Sequence, residues 1–269
     1  MKNEKIFEIS EKPIVSQIKC VVLDYDGTLT TLRRGWDVIL NQYAQSTINP
    51  NSCKAVSGLE GSIRHLCEHA GGTTPRQLMT RLVALIEEYK LVPKNRIKTI
   101  DEYALKYTHI FQKAIDLRLT NFDEESEQYV IQGVRPLLQF LNKQSTVNYV
   151  VTGSNAHAVS LELNKLSMKK FFTQIYGATL ETPGNLKENA IKEIMTRHAL
   201  KKSEILVIGD GSTEIRAAKT LGLPSIGIAS DEHKGGLCPN KRRSLLALGA
   251  HVIIADYSSF PDLWEWLHS

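Results

Sequence analysis

Five acidic or basic side chains and one hydroxyl stand where an α/β protein could use them. Asp24 and Asp26 follow the apolar run Ile18 to Leu23, Thr152 follows Val147 to Val151, and Asp210 and Glu214 follow Ile205 to Gly209, while Lys187 opens a helical pattern. In an open parallel sheet the reactive crevice lies outside the carboxyl ends of the strands, so these are the positions where chemistry is expected. Four carboxylates with one lysine would make a divalent-cation site with a compensating charge, and hard oxygen ligands suit Mg2+. Asp24 could then attack phosphorus, Lys187 and Thr152 could hold the phosphoryl oxygens, and Asp26 could protonate the leaving oxygen and later activate water.

Each of these residues also has a structural explanation. Asp-Gly after a strand is an ordinary turn, Asp24 or Thr152 could cap a helix, Lys187 could be a solvated first-turn lysine, and Glu214 suits a helix N-terminus. Taken together, a complete set in this chain order with the acids placed after strands favours the chemical reading.

The elements that must position them are legible. Short Val- and Ile-rich runs recur at Ile18 to Leu23, Val147 to Val151, Ile205 to Ile208, Ser225 to Ala229 and His251 to Ala255. Runs of this length read as buried parallel strands. Helical patterns at Val134 to Leu141, Lys187 to His198 and Thr213 to Leu221 separate or follow them, the last closing at Gly222 with Pro224 beyond. The alternation predicts an α/β fold, a Rossmann-like parallel sheet with helices on both faces. Phe260, Leu263, Trp264 and Leu267 recur at helical spacing, so Trp264 is expected to anchor a C-terminal helix by packing.

Between about Leu32 and Ile131 no strand is evident. Amphipathic patterns at Ser62 to His69, Pro75 to Tyr89 and Ile100 to Leu117 predict an all-helical insert, with Thr74 as N-cap and Pro75 at the first helical position. Residues 1–31 and 132–269 would then form the core domain and residues 32–131 the inserted helical domain.

The chain of 269 residues carries a formal net charge of +4 with 42% hydrophobic residues. Its basic residues are dispersed, which gives no nucleic-acid footprint. The clusters Lys165/Lys169/Lys170 and Lys241/Arg242/Arg243 are expected to be solvated helix faces. Cys20, Cys53, Cys67 and Cys238 show neither zinc-ligand nor disulfide-framework spacing. No signal-peptide or membrane-spanning run is evident, so a cytoplasmic protein without a membrane partner is expected.

These residues resemble the four motifs of the haloacid dehalogenase (HAD) superfamily, in its phosphatase branch. Asp24-Tyr25-Asp26-Gly27-Thr28 is similar to the first motif, Thr152-Gly153-Ser154 to the second, Lys187 to the third, and Gly209-Asp210-Gly211-Ser212-Thr213-Glu214 to the fourth. The helical insert falls where that superfamily carries a cap. The resemblance implies that Asp24 is nucleophile and Mg2+ ligand and that Asp26 is the acid/base and offers its backbone carbonyl to the metal. Asp210 and Glu214 complete the metal set. Glu214 stands where aspartate is commoner, so it either reaches the metal or pairs with Lys187. Gly27, Thr28, Gly153 and Ser154 would contact the substrate. Arg33, Arg34 and Trp36, close behind the nucleophile loop, and Arg76, with Thr73 and Gln77 at a helix N-terminus, are further substrate-binding candidates.

The resemblance thus implies a Mg2+-dependent phosphatase for a small phosphorylated metabolite, a sugar phosphate or short phosphoacid, acting through an aspartyl phosphate. A sugar-phosphate mutase of the same superfamily, or a catalytically idle HAD-fold binding protein, are the alternatives. A dinucleotide site at Gly209-Asp210-Gly211 is disfavoured, because Glu214 stands where the third glycine belongs and would face a pyrophosphate.

Overall fold

The computed structural model describes residues 7–51, 55–70, 73–120, 125–179 and 185–269. In chain order the elements are β1 (Glu8–Ile9), β2 (Cys20–Leu23), α1 (Trp36–Ile48), α2 (Leu59–Glu68), α3 (Pro75–Tyr89) and α4 (Ile100–Thr120). There follow α5 (Val134–Lys143), β3 (Val147–Val151), α6 (Ala156–Lys165), β4 (Gln174–Tyr176), α7 (Leu186–Arg197), β5 (Ile205–Gly209), α8 (Ser212–Leu221), β6 (Ser225–Ile228), α9 (Pro239–Leu248), β7 (Val252–Ile254) and α10 (Phe260–His268). The residues fall into two compact units. One holds the sheet, with the chain up to Leu32, from 125 to Ala178 and from Asn185 onward; the other takes in Arg33–Thr120.

The sheet has the order β1-β7-β6-β5-β2-β3-β4, parallel throughout except for β1, which pairs antiparallel with β7. β2 lies inside the sheet between β5 and β3, and its CVVL run is buried throughout, as a strand flanked by two parallel neighbours must be. Cys20, Val22, Tyr149, Val151, Ile205 and Val207 face one side and pack with Ala190, Ile191 and Ile194 of α7 and Ala217 and Ala218 of α8. Period-2 alternation sends Val21, Leu23, Val150, Leu206 and Ile208 to the opposite face, where they are fully buried. On α10, Phe260, Leu263, Trp264 and Leu267 are buried, and Phe140 of α5 meets the Trp264 ring edge-on at 5.6 Å between centroids. Trp264 is therefore a packing anchor, as its spacing predicts.

Short β1 and β4 escape the sequence reading. Their apolar stretches are too brief to declare a period, and only pairing at the sheet margins makes strands of them. The core strands otherwise match the predicted runs to within one or two residues.

The second unit is helical. Leu40, Tyr43, Ile48, Ile63, Leu66, Met79, Leu82, Ile86 and Tyr107 form its core. α3 begins as its sequence requires, with a reciprocal capping box between Thr74 and Gln77 and proline in the first turn. α1 was not singled out by the sequence. Among the described residues no helix is long and apolar enough to cross a membrane.

Candidate active site

Register brings the predicted residues together. Leu23 of β2 aligns with Ile208 of β5 and Val150 of β3, so the residues that follow, Asp24, Gly209-Asp210 and Val151-Thr152, emerge side by side at the carboxyl end of the sheet. β2 and β5 border the point where the chain order reverses, the crevice such sheets offer to ligands. The Asp24 amide donates to the Ile208 carbonyl at 2.9 Å, carrying the ladder one residue past the strand and fixing Asp24.

Carboxylate oxygens of Asp24, Asp210 and Glu214 lie within 4.8 Å of one another. Lys187 joins two of them: its Nζ lies 2.7 Å from Asp24 Oδ1 and 2.6 Å from Glu214 Oε2. Lys187 sits in the first turn of α7, where the helix dipole disfavours a cation by about 0.3–1 kcal/mol. The two ion pairs, and not the helix, hold it there, which sets aside the solvated first-turn lysine. Glu214 has the opposite relation to its helix, lying in the first turn of α8 with its carboxylate accepting from the Gly211 amide and, at 2.8 Å, from Thr213 Oγ1.

The charges do not balance. Burial, then repulsion from Glu214, Asp210 and Asp26, pushes the Asp24 carboxyl well above its ordinary range despite Lys187. Burial also raises Asp210 to about 7, with Glu214 and Glu232 adding to the rise and Lys241 opposing it. For Lys187, burial favours the neutral amine, but Asp24 and Glu214 outweigh it and keep the ammonium. Glu214 stays low, because Lys187 and the Gly211 amide offset its desolvation. A clustered set of oxygen donors with excess negative charge fits a hard divalent cation, which would relieve the rise at Asp24 and Asp210.

The loop after β2 is built for close approach. Gly27 has φ +70°, its amide donates to Thr30 O at 2.8 Å, and a Cβ there would lie 2.0 Å from Asp210 Oδ2. Gly27→Ala therefore combines a left-handed backbone cost of about 1–2 kcal/mol with displacement of Asp210. The expected result is a folded protein by circular dichroism whose turnover drops on the order of 10²-fold, as for a 1 Å misplacement; unchanged steady-state turnover would refute the role of this approach. Thr28 is fully buried and braces the loop, its carbonyl accepting from Tyr257 Oη at 3.0 Å.

Asp26 is half-buried, outside the three-acid cluster, and its Oδ2 accepts from Ser154 Oγ at 2.8 Å. Ser154 in turn donates its amide to the buried Thr152 Oγ1 at 3.0 Å, so Thr152-Gly153-Ser154 supports Asp26 directly. Gly153 is exposed, with open space where a side chain would stand.

The remaining candidates belong to the helical unit. Trp36 begins α1 and packs against that unit's apolar core. Arg76 Nε is 3.7 Å from Asp101 Oδ1, with both side chains half exposed. The expected anion site at the N-terminus of α3 is internally capped: the Gln77 amide donates to Thr74 Oγ1 and the Thr74 amide to Gln77 Oε1, while Thr73 Oγ1 donates to Ala70 O. Arg33 is buried and Arg34 partly so.

One charged residue at the site was missed. Lys241, expected on a solvated face, lies 2.6 Å from Asp210 Oδ2 and 2.6 Å from Glu232 Oε1. Its neighbour Arg242 binds Glu8, with Nη2 to Oε1 at 2.6 Å. No sequence period could single them out, because Asp210 and Glu8 lie 31 and 234 residues away. The lysines of the other basic cluster, Lys165, Lys169 and Lys170, are exposed as expected.

A family model described as haloacid dehalogenase-like hydrolase matches residues 18–222, and the chain belongs to this family. It is 26% identical over 102 residues to a phosphoglycolate phosphatase of Vibrio parahaemolyticus, covering 38% of this chain and 45% of that protein. With a phosphoglycolate phosphatase of Pseudomonas putida it shares 24% over 125 residues, 46% of each. These matches thus span less than half the length of those relatives. Among solved structures it resembles a predicted phosphoglycolate phosphatase from Haemophilus somnus 129pt, with a TM-score of 0.63 at 18% identity, over 93% of this chain and 99% of that one. It also resembles a provisionally assigned beta-phosphoglucomutase from Bacteroides vulgatus, with a TM-score of 0.62 at 17% identity, over 95% and 90%.

Proposed function

We propose that the protein is a Mg2+-dependent phosphatase that hydrolyses a small organic phosphate monoester through a phosphorylated Asp24. The observation that carries this reading is the cluster of buried Asp24 and Glu214, joined by Lys187, with the part-buried Asp210 at the carboxyl end of the sheet. Asp24 and Asp210, with the Asp26 backbone carbonyl, would hold the cation. When bound, it supplies positive charge that lets two anions meet and steadies charge on the phosphoryl oxygens.

This chain's residues do the rest. Asp24 attacks phosphorus, and the bond to the leaving oxygen breaks. Asp26, supported by Ser154, gives that oxygen a proton and then takes one from the water that opens the acyl phosphate. Thr152 Oγ1 accepts from the Ser154 amide and keeps its own O–H to donate to a phosphoryl oxygen. Lys187 aligns Asp24 and offsets charge, and Glu214, whose oxygens meet Lys187, Thr213 and the Gly211 amide, acts in this reading by holding Lys187.

The helical unit interrupts the chain between Asp26 and Thr152. We assign it, as residues 32–131, the role of a substrate-selecting cap, with Arg33, Arg34, Trp36 and Arg76 as the side chains to test. The names of the curated relatives make a short phosphoacid such as phosphoglycolate the first substrate to try. A cytoplasmic location agrees with Cys20, Cys67 and Cys238 being free thiols; Cys53 lies outside the described residues.

The test is a panel of phosphoacids, sugar phosphates and nucleotides, read by release of inorganic phosphate. Turnover is expected only with Mg2+ present, lost on chelation and recovered on readdition, with Ca2+ a poor substitute because it tolerates looser coordination. Full turnover after dialysis against a chelator refutes the metal assignment. Folded protein inert on the whole panel with Mg2+ refutes the enzyme and leaves a binding protein on this fold.

A further inference from the structure

A second lysine meets the acid cluster from a different element, and nothing in the proposed chemistry yet uses it. Lys241 lies in the first turn of α9, where the helix dipole disfavours a cation just as it does at Lys187. Its ammonium reaches Asp210 Oδ2 and Glu232 Oε1, both at 2.6 Å, and its side chain is only 25% exposed.

Both supports of this contact are fixed. α9 is tied down by the Arg242 pair with Glu8, by the Cys238 amide on Ala229 O at 2.7 Å, and by Leu245, buried among Ile215, Ala229, Ala250 and Ile253. The loop that carries Glu232 braces itself. Asp231 accepts from the amides of His233 and Lys234 at 3.0 Å each, and its own amide donates to Gly236 O at 2.8 Å. Asp210 Oδ2 is thereby confined between the Lys241 ammonium and Gly27, where a Cβ would stand 2.0 Å from that oxygen. The bond from Lys241 to Oδ2 restricts rotation of the carboxylate and so holds Oδ1 in one place as well.

We propose that Lys241, backed by Glu232, is a positioning residue that fixes the Asp210 carboxylate so that one defined oxygen is presented to the divalent cation. The loop after β6 and the start of α9 then belong to the active site. This rests on the reading of Asp210 as a ligand given under the proposed function. Lys241 itself touches no reacting atom and acts through Asp210.

The experiment compares wild type, Lys241→Met and Lys241→Arg by calorimetric titration with Mg2+ in the absence of substrate, by the half-activating Mg2+ concentration, and by thermal unfolding in chelator. Residues that orient metal ligands are typically worth about 10–100-fold in affinity or activity. Lys241→Met is expected to weaken Mg2+ binding and raise the half-activating concentration by such a factor, with little change in unfolding temperature. Lys241→Arg should recover part of the loss. If Lys241→Met does not fold, Glu232→Gln, which keeps the lysine but loosens it, should shift Mg2+ affinity the same way by a smaller factor. Wild-type affinity in folded Lys241→Met, or in folded Glu232→Gln where that variant stands in, overturns the inference alone. A wild-type protein that binds no Mg2+ overturns the proposed function and this inference with it.

Discussion

Asp24→Asn is expected to abolish turnover, with a loss on the order of 10⁶-fold, the scale seen when a covalent nucleophile is removed. The amide preserves the shape and one oxygen for Lys187 but is a poor nucleophile. Stability should move little, and upward if at all. Burial and three neighbouring acids raise the Asp24 carboxyl above its unfolded value, so ionised Asp24 opposes folding near neutral pH when no cation is bound. That cost grows as pH rises from the unfolded pKa to the folded one, and a neutral amide is free of it. Thermal unfolding in chelator should therefore place Asp24→Asn at or above the wild type. Acid-quenched wild-type protein should carry a phosphoryl group on Asp24 by mass spectrometry, and the variant none. Appreciable remaining turnover removes Asp24 from its assigned role.

The second large effect is at Asp26. Its carboxylate stands apart from the three-acid cluster and accepts from Ser154. General acid–base assistance is worth about 10²–10⁴-fold, so Asp26→Ala should lose on that order with an alkyl phosphate while Mg2+ binding is largely retained. A nitrophenolate leaves without needing a proton, so the first step should be partly rescued and phospho-Asp24 should accumulate. With the wild type, labelled phosphate from the substrate should end as inorganic phosphate. Transfer mainly to a second sugar hydroxyl would make the protein a mutase, the activity in the name of one of the solved structures it resembles. Near wild-type hydrolysis of alkyl phosphates by Asp26→Ala would show that Asp26 is not the acid.

The acids that follow β2 and β5 were readable because each is preceded by a short, unbroken apolar run of strand length that ends abruptly. A buried strand announces both its own position and the residue that leaves it. Lys187 was weaker on sequence alone, since a lysine in a first helical turn is commonplace; its pairs with Asp24 and Glu214 distinguish it. The helical insert was readable from amphipathic spacing and from the Thr74-Pro75 start signal, which the capping box realises.

What the sequence by itself determined is the local part: the core strands, the major helices, and a set of acids placed after strands in a fixed chain order. These follow from interactions between residues a few positions apart, where side-chain period and capping chemistry are written into the chain. Only the tertiary structure decided what depends on distant partners. It turned Lys241 from a presumed solvated residue into a neighbour of Asp210, gave Glu214 to Lys187, set Ser154 against Asp26, and made Gly27 necessary because Asp210 approaches it across the sheet end. The physical reason is that an ion pair within the fold is selected by geometry and desolvation, not by proximity in sequence. A basic residue in an amphipathic helix reads the same whether it faces water or a part-buried carboxylate 31 residues away.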